Sequence, residues 1–386
     1  MYIELTEEQK IIKETAKSFA TSELEPIASE LDKGNNKDAY LNNIKKLADL
    51  GFMGLNIKNE YGGAEAGVVA FSLAISEIGR ACASTAVTVS VSNMVCEVIE
   101  AIRSEQQKEK YISKICSGEY LAGSFALSEA GAGSDPSSMT VSAVLDGAEW
   151  VLNGTKLWTT SAPYAGVFVV WAVTDKNAPR GKGISCFLVD AGTSGLKIGR
   201  EEDKLGQQAS STNEVIFENC KIPKDALLGQ LNDGFKIALI ELSGGRIGVG
   251  SLALGIGLAA MDYAAKYSLE RKQFNHKISD FQAIQWMIAD SYTELEAARL
   301  LLMSASFKKE NNKSFSKEAS MAKMFSTETA NKACYNAMQI MGGYGYTKDF
   351  PLERYYRDVR VTSIYEGTNE IQRVIIARDI LKSFQN

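Results

Sequence analysis

Polar and apolar positions divide the chain into three stretches. Ile11, Ile12, Thr15, Ala16, Phe19 and Ala20 recur at helical spacing, as do the apolar positions of 41–52. Ahead of the first of these, Thr6-Glu7-Glu8-Gln9 reads as a capping box that opens a helix. Gly62-Gly63 breaks the pattern. It resumes over 68–80 and 85–102 with an almost wholly apolar or small character, which predicts buried helices. Gln106 to Cys116 reads as a charged amphipathic helix. After Gly118 the texture changes. Asn153-Gly154 lies between β-type residues in 150–158 and predicts a hairpin turn. Further strands are expected over 168–174, 184–189 and 214–217. This stretch of roughly a hundred residues lacks βαβ alternation, so no Rossmann unit is expected. From Gly234 the period is helical again, over 237–267, 281–308, 316–341 and 369–384, with lengths that suit an antiparallel four-helix bundle. The expected organisation is α+β in the order α, β, α: an N-terminal helical domain over 1–118, a middle β-barrel-like domain over 119–231, and a C-terminal four-helix bundle over 232–386.

Composition narrows the chemistry. With 386 residues, 45% hydrophobic and 23% charged, the chain suits two or three globular domains. A net charge of −5 argues against a nucleic-acid surface. No apolar run reads as a membrane span, and the start resembles neither a signal nor a transit peptide. The intact helix start favours a bacterial cytoplasmic protein over a processed mitochondrial one. The six cysteines show no metal-like or redox-like spacing and read as buried thiols. The single histidine, His276, reads as a surface loop residue and cannot build a zinc site. Any chemistry must come from carboxylates, hydroxyls, backbone amides and a cofactor.

Five short segments are candidates for it. In 364–373, Glu366 sits on a Gly-containing turn before a helix that Thr368 can cap, with Glu370 in its first turn. Such a junction can aim a carboxylate at a ligand while the helix start holds an anion, although a Glu there is more often a solvated or capping residue. In 125–135, Ser128-Glu129-Ala130-Gly131-Ala132-Gly133-Ser134-Asp135 offers small residues and consecutive amides for a phosphate, or a plain surface turn. Trp158 in Lys156-Leu157-Trp158-Thr159-Thr160 could stack on a cofactor with Thr160 on the same side, or be a core Trp on a hairpin strand. Gln339-Ile340-Met341-Gly342-Gly343 ends a helix in Gly-Gly, as C-caps commonly do. Arg271-Lys272-Gln273-Phe274 ends another, with Gln282 and Gln285 following.

Taken together and in their order along the chain, these segments resemble the acyl-CoA dehydrogenase family over nearly the whole chain, and the α, β, α order agrees with that family's fold. The resemblance implies an oxidoreductase that binds FAD between the middle and C-terminal domains. It implies contacts to flavin and pyrophosphate from Leu127, Ser128, Gly133 and Ser134. Trp158 would pack on the isoalloxazine, with the Thr160 hydroxyl facing N5. Arg271, Phe274 and Gln282 would hold the adenosine diphosphate part across a subunit interface. Gln339, Gly342 and Gly343 would meet the same end, and Thr368 and Glu370 would complete the pyrophosphate site. Glu366 matches the catalytic base that removes the α-proton of an acyl-CoA while the β-hydride goes to the flavin. Substrate contacts fall to Ser134, Ser243, Arg246, Tyr365 and Gly367.

Some relatives carry the base on the segment that here reads Leu242-Ser243-Gly244-Gly245-Arg246. Gly245 stands at that position, which supports Glu366. Ser243 replaces the usual Asp, and Asn275 a usual Gly. Ser90-Val91-Ser92-Asn93 resembles the short-chain, butyryl-CoA dehydrogenase-like branch, so a short linear or branched acyl-CoA is expected. The resemblance further implies electron-transferring flavoprotein as acceptor and a homotetramer built as a dimer of dimers. It leaves open the enoyl-CoA reductase direction and a same-fold flavin oxidase or monooxygenase.

Overall fold

The computed structural model describes residues 4–102 and 105–385. The N-terminal helices are α1 (Glu7–Phe19), α2 (Ala28–Asp32), α3 (Lys37–Asp49), α4 (Gly67–Ala81), α5 (Ala83–Ala101) and α6 (Glu105–Cys116). The capping box forms as expected: the Thr6 hydroxyl accepts from Gln9 N at 3.2 Å, and Thr6 N donates to Gln9 Oε1 at 3.1 Å. Helices α4 and α5 are buried along most of their length.

The middle strands are β1 (Ala122–Ala126), β2 (Ser142–Asp146), β3 (Glu149–Thr160), β4 (Ala165–Val173), β5 (Ile184–Asp190), β6 (Leu196–Glu201), β7 (Thr212–Pro223) and β8 (Leu227–Leu228). They form one mixed sheet in the order β6-β7-β3-β2-β4-β5-β8, with β1 parallel to β4. The sheet wraps a core of its own, including Trp150, Leu152, Phe168, Val170, Phe187, Val215 and Phe217. On β4 the alternate residues Val167, Val169 and Trp171 belong to the larger helical core instead. Strand β4 is therefore apolar throughout because both of its faces are covered.

The Asn-Gly turn expected at 153–154 is not there, since β3 runs straight through it. The hairpin turn is Gly147-Ala148, where Asp146 pairs with Glu149 and Gly147 has φ +61°. Asn153-Gly154 instead builds a bulge against β7, and Asn153 Oδ1 accepts from Asn219 N at 2.8 Å. A side chain at Gly154 would run into Val141. Left-handed backbone is needed at both places, so the dipeptide signalled a local conformation and not which turn uses it.

The C-terminal helices are α7 (Gly234–Glu270), α8 (Gln282–Glu310), α9 (Ser316–Met341), α10 (Gly343–Tyr346), α11 (Leu352–Arg360) and α12 (Asn369–Ser383). Between α7 and α8, β9 (Lys272–Gln273) and β10 (His276–Lys277) form a small hairpin. Its turn, Phe274-Asn275, has φ +53° and +64°, which explains why Asn serves where Gly is usual. Helix α7 is long and apolar enough to cross a membrane, with a mean hydropathy of 1.5 over its most apolar window, but 78% of that window is buried inside the protein. It is the central core helix. Its glycines let neighbours approach closely: Gly255 abuts Ser76 O of α4, and Gly257 abuts the Ala330 backbone of α9. The six cysteines are buried and free.

Candidate active site

The turn before α12 carries an unusual carboxylate. Glu366 and Gly367 both have left-handed backbone, with φ +52° and +93°. Thr368 then caps α12, accepting from Ile371 N at 3.4 Å. Glu366 Oε2 is sealed from solvent and has no hydrogen-bond partner among the described residues. Burial pushes its pKa up to about 7, against the opposing pull of Lys323 and Arg246. A solvated or capping glutamate would show neither property. Glu370, in contrast, is exposed, and its own backbone N–H and Thr368 hold its pKa below the usual range.

Helix α7 makes room for this carboxylate. A Cβ on Gly245 would lie 2.1 Å from Glu366 Oε2 and 2.8 Å from Met94 Sδ. The α7 position that could have carried a base is thus the position that must be glycine if Glu366 is to occupy this place. Three residues further on, Gly248 faces Ser90, whose Oγ would lie 2.2 Å from an added Cβ. Ser92 and Asn93 face elsewhere: Ser92 Oγ accepts from Gly123 N at 3.3 Å, and Asn93 bonds Leu55 N and Phe52 O, each at 2.8 Å. Arg246 is buried, and burial lowers its pKa to about 10. Its Nη1 donates to Ser243 Oγ at 3.3 Å and to Ser320 Oγ at 3.4 Å. Ser243 and Arg246 are therefore inside the bundle, and the Arg246 charge acts on the glutamate. Tyr365 hydrogen-bonds to Gln207 Nε2 at 3.4 Å, which also donates to Asp358 O at 3.1 Å, tying the turn to the loop before β7.

The Gly-rich segment forms a pinned loop after β1. Gly131, Gly133 and Ser134 are exposed, Ser128 is half-buried and Leu127 is buried. The side chains beneath hold it. Glu129 accepts from Thr140 N, Thr140 Oγ1 and Val141 N at 2.6, 2.8 and 3.0 Å, and from Lys156 Nζ at 2.8 Å. Lys156 is fully buried and also donates to Leu127 O at 2.9 Å. Burial lowers the Lys156 pKa to about 8, although Glu129 opposes that shift. Sequence reasoning gave neither residue a role. The signal it had was a Glu inside the loop and a Lys on the adjoining strand, and only their pairing makes them informative.

Trp158 is not a core residue. A bulge between Lys156 and Thr159 and a φ of +56° at Trp158 break the strand's alternation. Lys156 and Thr159 turn inward, while Trp158 stays 53% exposed with Thr160 half-buried beside it. Such an exposed indole after a strained turn is a surface prepared for a planar partner.

A cleft of about 460 Å³ lies at the far end of the bundle. It is lined by Arg271, Gly342, Gly343 and Tyr344 among others, with the Arg271 guanidinium 5.7 Å from the Tyr344 ring centre. No atom lies within 4 Å of a Cβ added at Gly342 or Gly343, so the backbone here is open. Gln339 and Gln282 are exposed and outside the lining, and Phe274 is 86% exposed at the hairpin tip.

The acyl-CoA dehydrogenase N-terminal, middle and C-terminal domain models match residues 6–119, 124–220 and 232–381. The chain belongs to the acyl-CoA dehydrogenase family. A mitochondrial short-chain specific acyl-CoA dehydrogenase of Bos taurus is 46% identical over 385 residues, covering 100% of this chain and 92% of that one. An acryloyl-CoA reductase (NADH) of Anaerotignum propionicum is 43% identical, over 99% and 96% of the two chains. Among solved structures, butyryl-CoA dehydrogenase of Megasphaera elsdenii superposes with a TM-score of 0.95 at 36% identity, over 99% and 100%. An acyl-CoA dehydrogenase of Bacillus anthracis complexed with FAD gives 0.92 at 30% identity, over 99% of this chain and 68% of that one. As an acyl-CoA dehydrogenase family member the chain is an oxidoreductase. The exposed Trp158, the pinned Gly-rich loop, the open Gly342-Gly343 backbone and the capped α12 start fit a long cofactor with a planar end and a phosphate centre.

Proposed function

We propose that this chain binds FAD and dehydrogenates a short-chain acyl-CoA to the trans-2-enoyl-CoA, with Glu366 as the base. The sealed, unpartnered Glu366 Oε2 carries the reading. A carboxylate whose proton affinity sits near neutrality can take a proton from carbon and release it again at physiological pH. Bound FAD would supply the acceptor for the β-hydride. Leu127, Ser128, Gly133, Ser134, Thr368 and Glu370 would hold its flavin and pyrophosphate parts, and Trp158 and Thr160 would orient its ring. Arg271, Gly342 and Gly343 would take its adenosine end, with Gln339 nearby and with Phe274 and Gln282 reaching a second copy. Glu366 would remove the α-proton while its backbone N–H donates to the thioester carbonyl, where negative charge develops. Ser134, Ser243, Arg246, Tyr365 and Gly367 would border the substrate, with Ser243 and Arg246 acting from behind the glutamate because both are buried.

Support for a small acyl group comes from the Ser90–Gly248 contact close to the Gly245 gap. Large exposed side chains on α8 (Trp286, Phe307), on α12 (Leu381) and at its C-cap (Phe384) support burial between copies, and a homotetramer accommodates both faces. Electron-transferring flavoprotein would be the acceptor. The domain limits 1–118, 119–231 and 232–386 are part of this proposal.

The test is anaerobic titration of the holoprotein with acyl-CoAs of four to sixteen carbons, following the flavin band, alongside Glu366→Gln. Short chains should bleach wild type, and the variant should bind FAD and ligand without bleaching. A variant that bleaches near-normally would remove Glu366 from the role. The acryloyl-CoA reductase relative favours a second reading, in which Glu366 delivers the proton in the reverse direction. Faster reoxidation of the reduced holoprotein by short enoyl-CoAs than its reduction by the saturated esters would favour it.

A further inference from the structure

A buried lysine beneath the catalytic turn has no place in the roles assigned above. Lys323, on α9, has no exposed surface. Its Nζ donates to Gly367 O at 3.0 Å and to Asn369 Oδ1 at 2.9 Å, one on each side of the cap Thr368. The contacts are braced in turn. Gly367 O also accepts from Gln372 Nε2 at 2.8 Å, and Thr327 Oγ1 lies 3.2 Å from Asn369 Oδ1 and 3.0 Å from Asn369 Nδ2. Across the helix interface, Gly250 of α7 allows contact with the Lys323 backbone. The lysine is therefore held at its backbone and at its ammonium, and the carbonyl it grips belongs to a residue in left-handed backbone directly after Glu366, itself left-handed.

Neutral oxygens are a poor reason to bury a cation, because they leave its charge uncompensated. Burial lowers the Lys323 pKa to about 8, with Glu366 the largest opposing influence, so the ammonium remains charged at neutral pH. Arg246 faces the same carboxylate from α7, while Glu328 on α9 and Glu370 on α12 act on Lys323. Met94 of α5 brings no charge to the site.

We propose that Lys323 is a positioning residue for the reaction: it clamps the Gly367 carbonyl to hold the Glu366 turn and places a buried positive charge beneath it. The inference rests on Glu366 being the base.

The experiment compares the pH profile of kcat/KM, which reports the free enzyme, for wild type, Lys323→Met, Lys323→Gln and Glu366→Gln holoenzymes. Removing the charge should move the acid limb up by about one pH unit, roughly a tenfold loss on the acid side. Lys323→Gln restores a donor for Gly367 without charge. It should show the same limb shift with a smaller fall in the plateau than Lys323→Met. Should Lys323→Met not fold, the Lys323→Gln limb decides alone. A readout independent of turnover is the Glu366 carboxyl stretching band, isolated as the infrared difference from Glu366→Gln and titrated with pH. It should move with the limb. An unmoved limb and band, with Glu366→Gln inactive, overturn the role of Lys323 alone. An active Glu366→Gln removes the base assignment and this inference with it.

Discussion

Gly245→Ala should separate catalysis from stability at this site. The added Cβ would stand 2.1 Å from Glu366 Oε2, more than 1 Å inside ordinary contact, and 2.8 Å from Met94 Sδ. Both neighbours are the far ends of flexible side chains, so they can swing away without moving backbone. The packing cost is therefore small, and replacing a helical glycine by alanine returns about 0.5–1 kcal/mol through backbone entropy. The melting temperature should hold or rise slightly. The rate should not hold, because the carboxylate is displaced by about 1 Å from its place. A misplacement of that size costs about a hundredfold, or about 2.7 kcal/mol of barrier. The assay is stopped-flow flavin reduction by butyryl-CoA at saturation, with thermal melting and the affinity of an unreactive acyl-CoA analogue measured in parallel. A variant reduced at the wild-type rate would refute the claim that Gly245 exists to make room for the base. A variant that loses rate only because it melts would refute the claim that the two effects separate.

Glu366→Gln should also stabilise the fold. The carboxyl has its folded pKa raised to about 7 from about 4.5, so its contribution is intact below pH 4.5 and is lost as pH rises towards 7. The stability gained by the variant should therefore be near zero at pH 4 and grow to about 3 kcal/mol above pH 7; urea melts at several pH values check the sign. Lys156→Met strands the Glu129 carboxylate under the Gly-rich loop, and should cost about 3 kcal/mol together with weaker FAD retention, read by chemical denaturation and flavin content. Gly342, at φ +59° and ψ −135°, holds a backbone conformation closed to other residues. Gly342→Ala should cost about 1–3 kcal/mol, while Gly343→Ala, with open space around it, should melt near wild type.

The order α, β, α and most helix limits were legible because their signals are local. The Thr6 box, the Thr368 cap, the Gly342 helix end and the apolar period of α9 each depend on residues within a few positions of one another. The motif set was legible for a related reason: the Gly-rich loop, the turn of Glu366 and the hairpin after Arg271 are each short and contiguous. The apolar neighbours of the six cysteines likewise predicted their burial.

Tertiary structure decided what local pattern left degenerate. Asn153-Gly154 and Gly147-Ala148 both tolerate left-handed backbone, and only pairing with β7 and β2 determined which became the bulge and which the turn. Trp158 pointed outward because a bulge shifted the strand's alternation at Lys156. Helix α7 is apolar enough to suit lipid, and its packing against α4, α5, α8 and α9 made it a core helix. The charges show the same limit most clearly. Lys323 and Glu366 lie 43 positions apart, and Lys156 and Glu129 lie 27 apart. In sequence Lys323, Lys156 and Glu129 are ordinary charged residues, and the motif around Glu366 says nothing of its partners. Burial, and with it proton affinity, arises only when distant segments exclude water from the same space, so the working state of the carboxylate belongs to the fold and not to the motif that contains it.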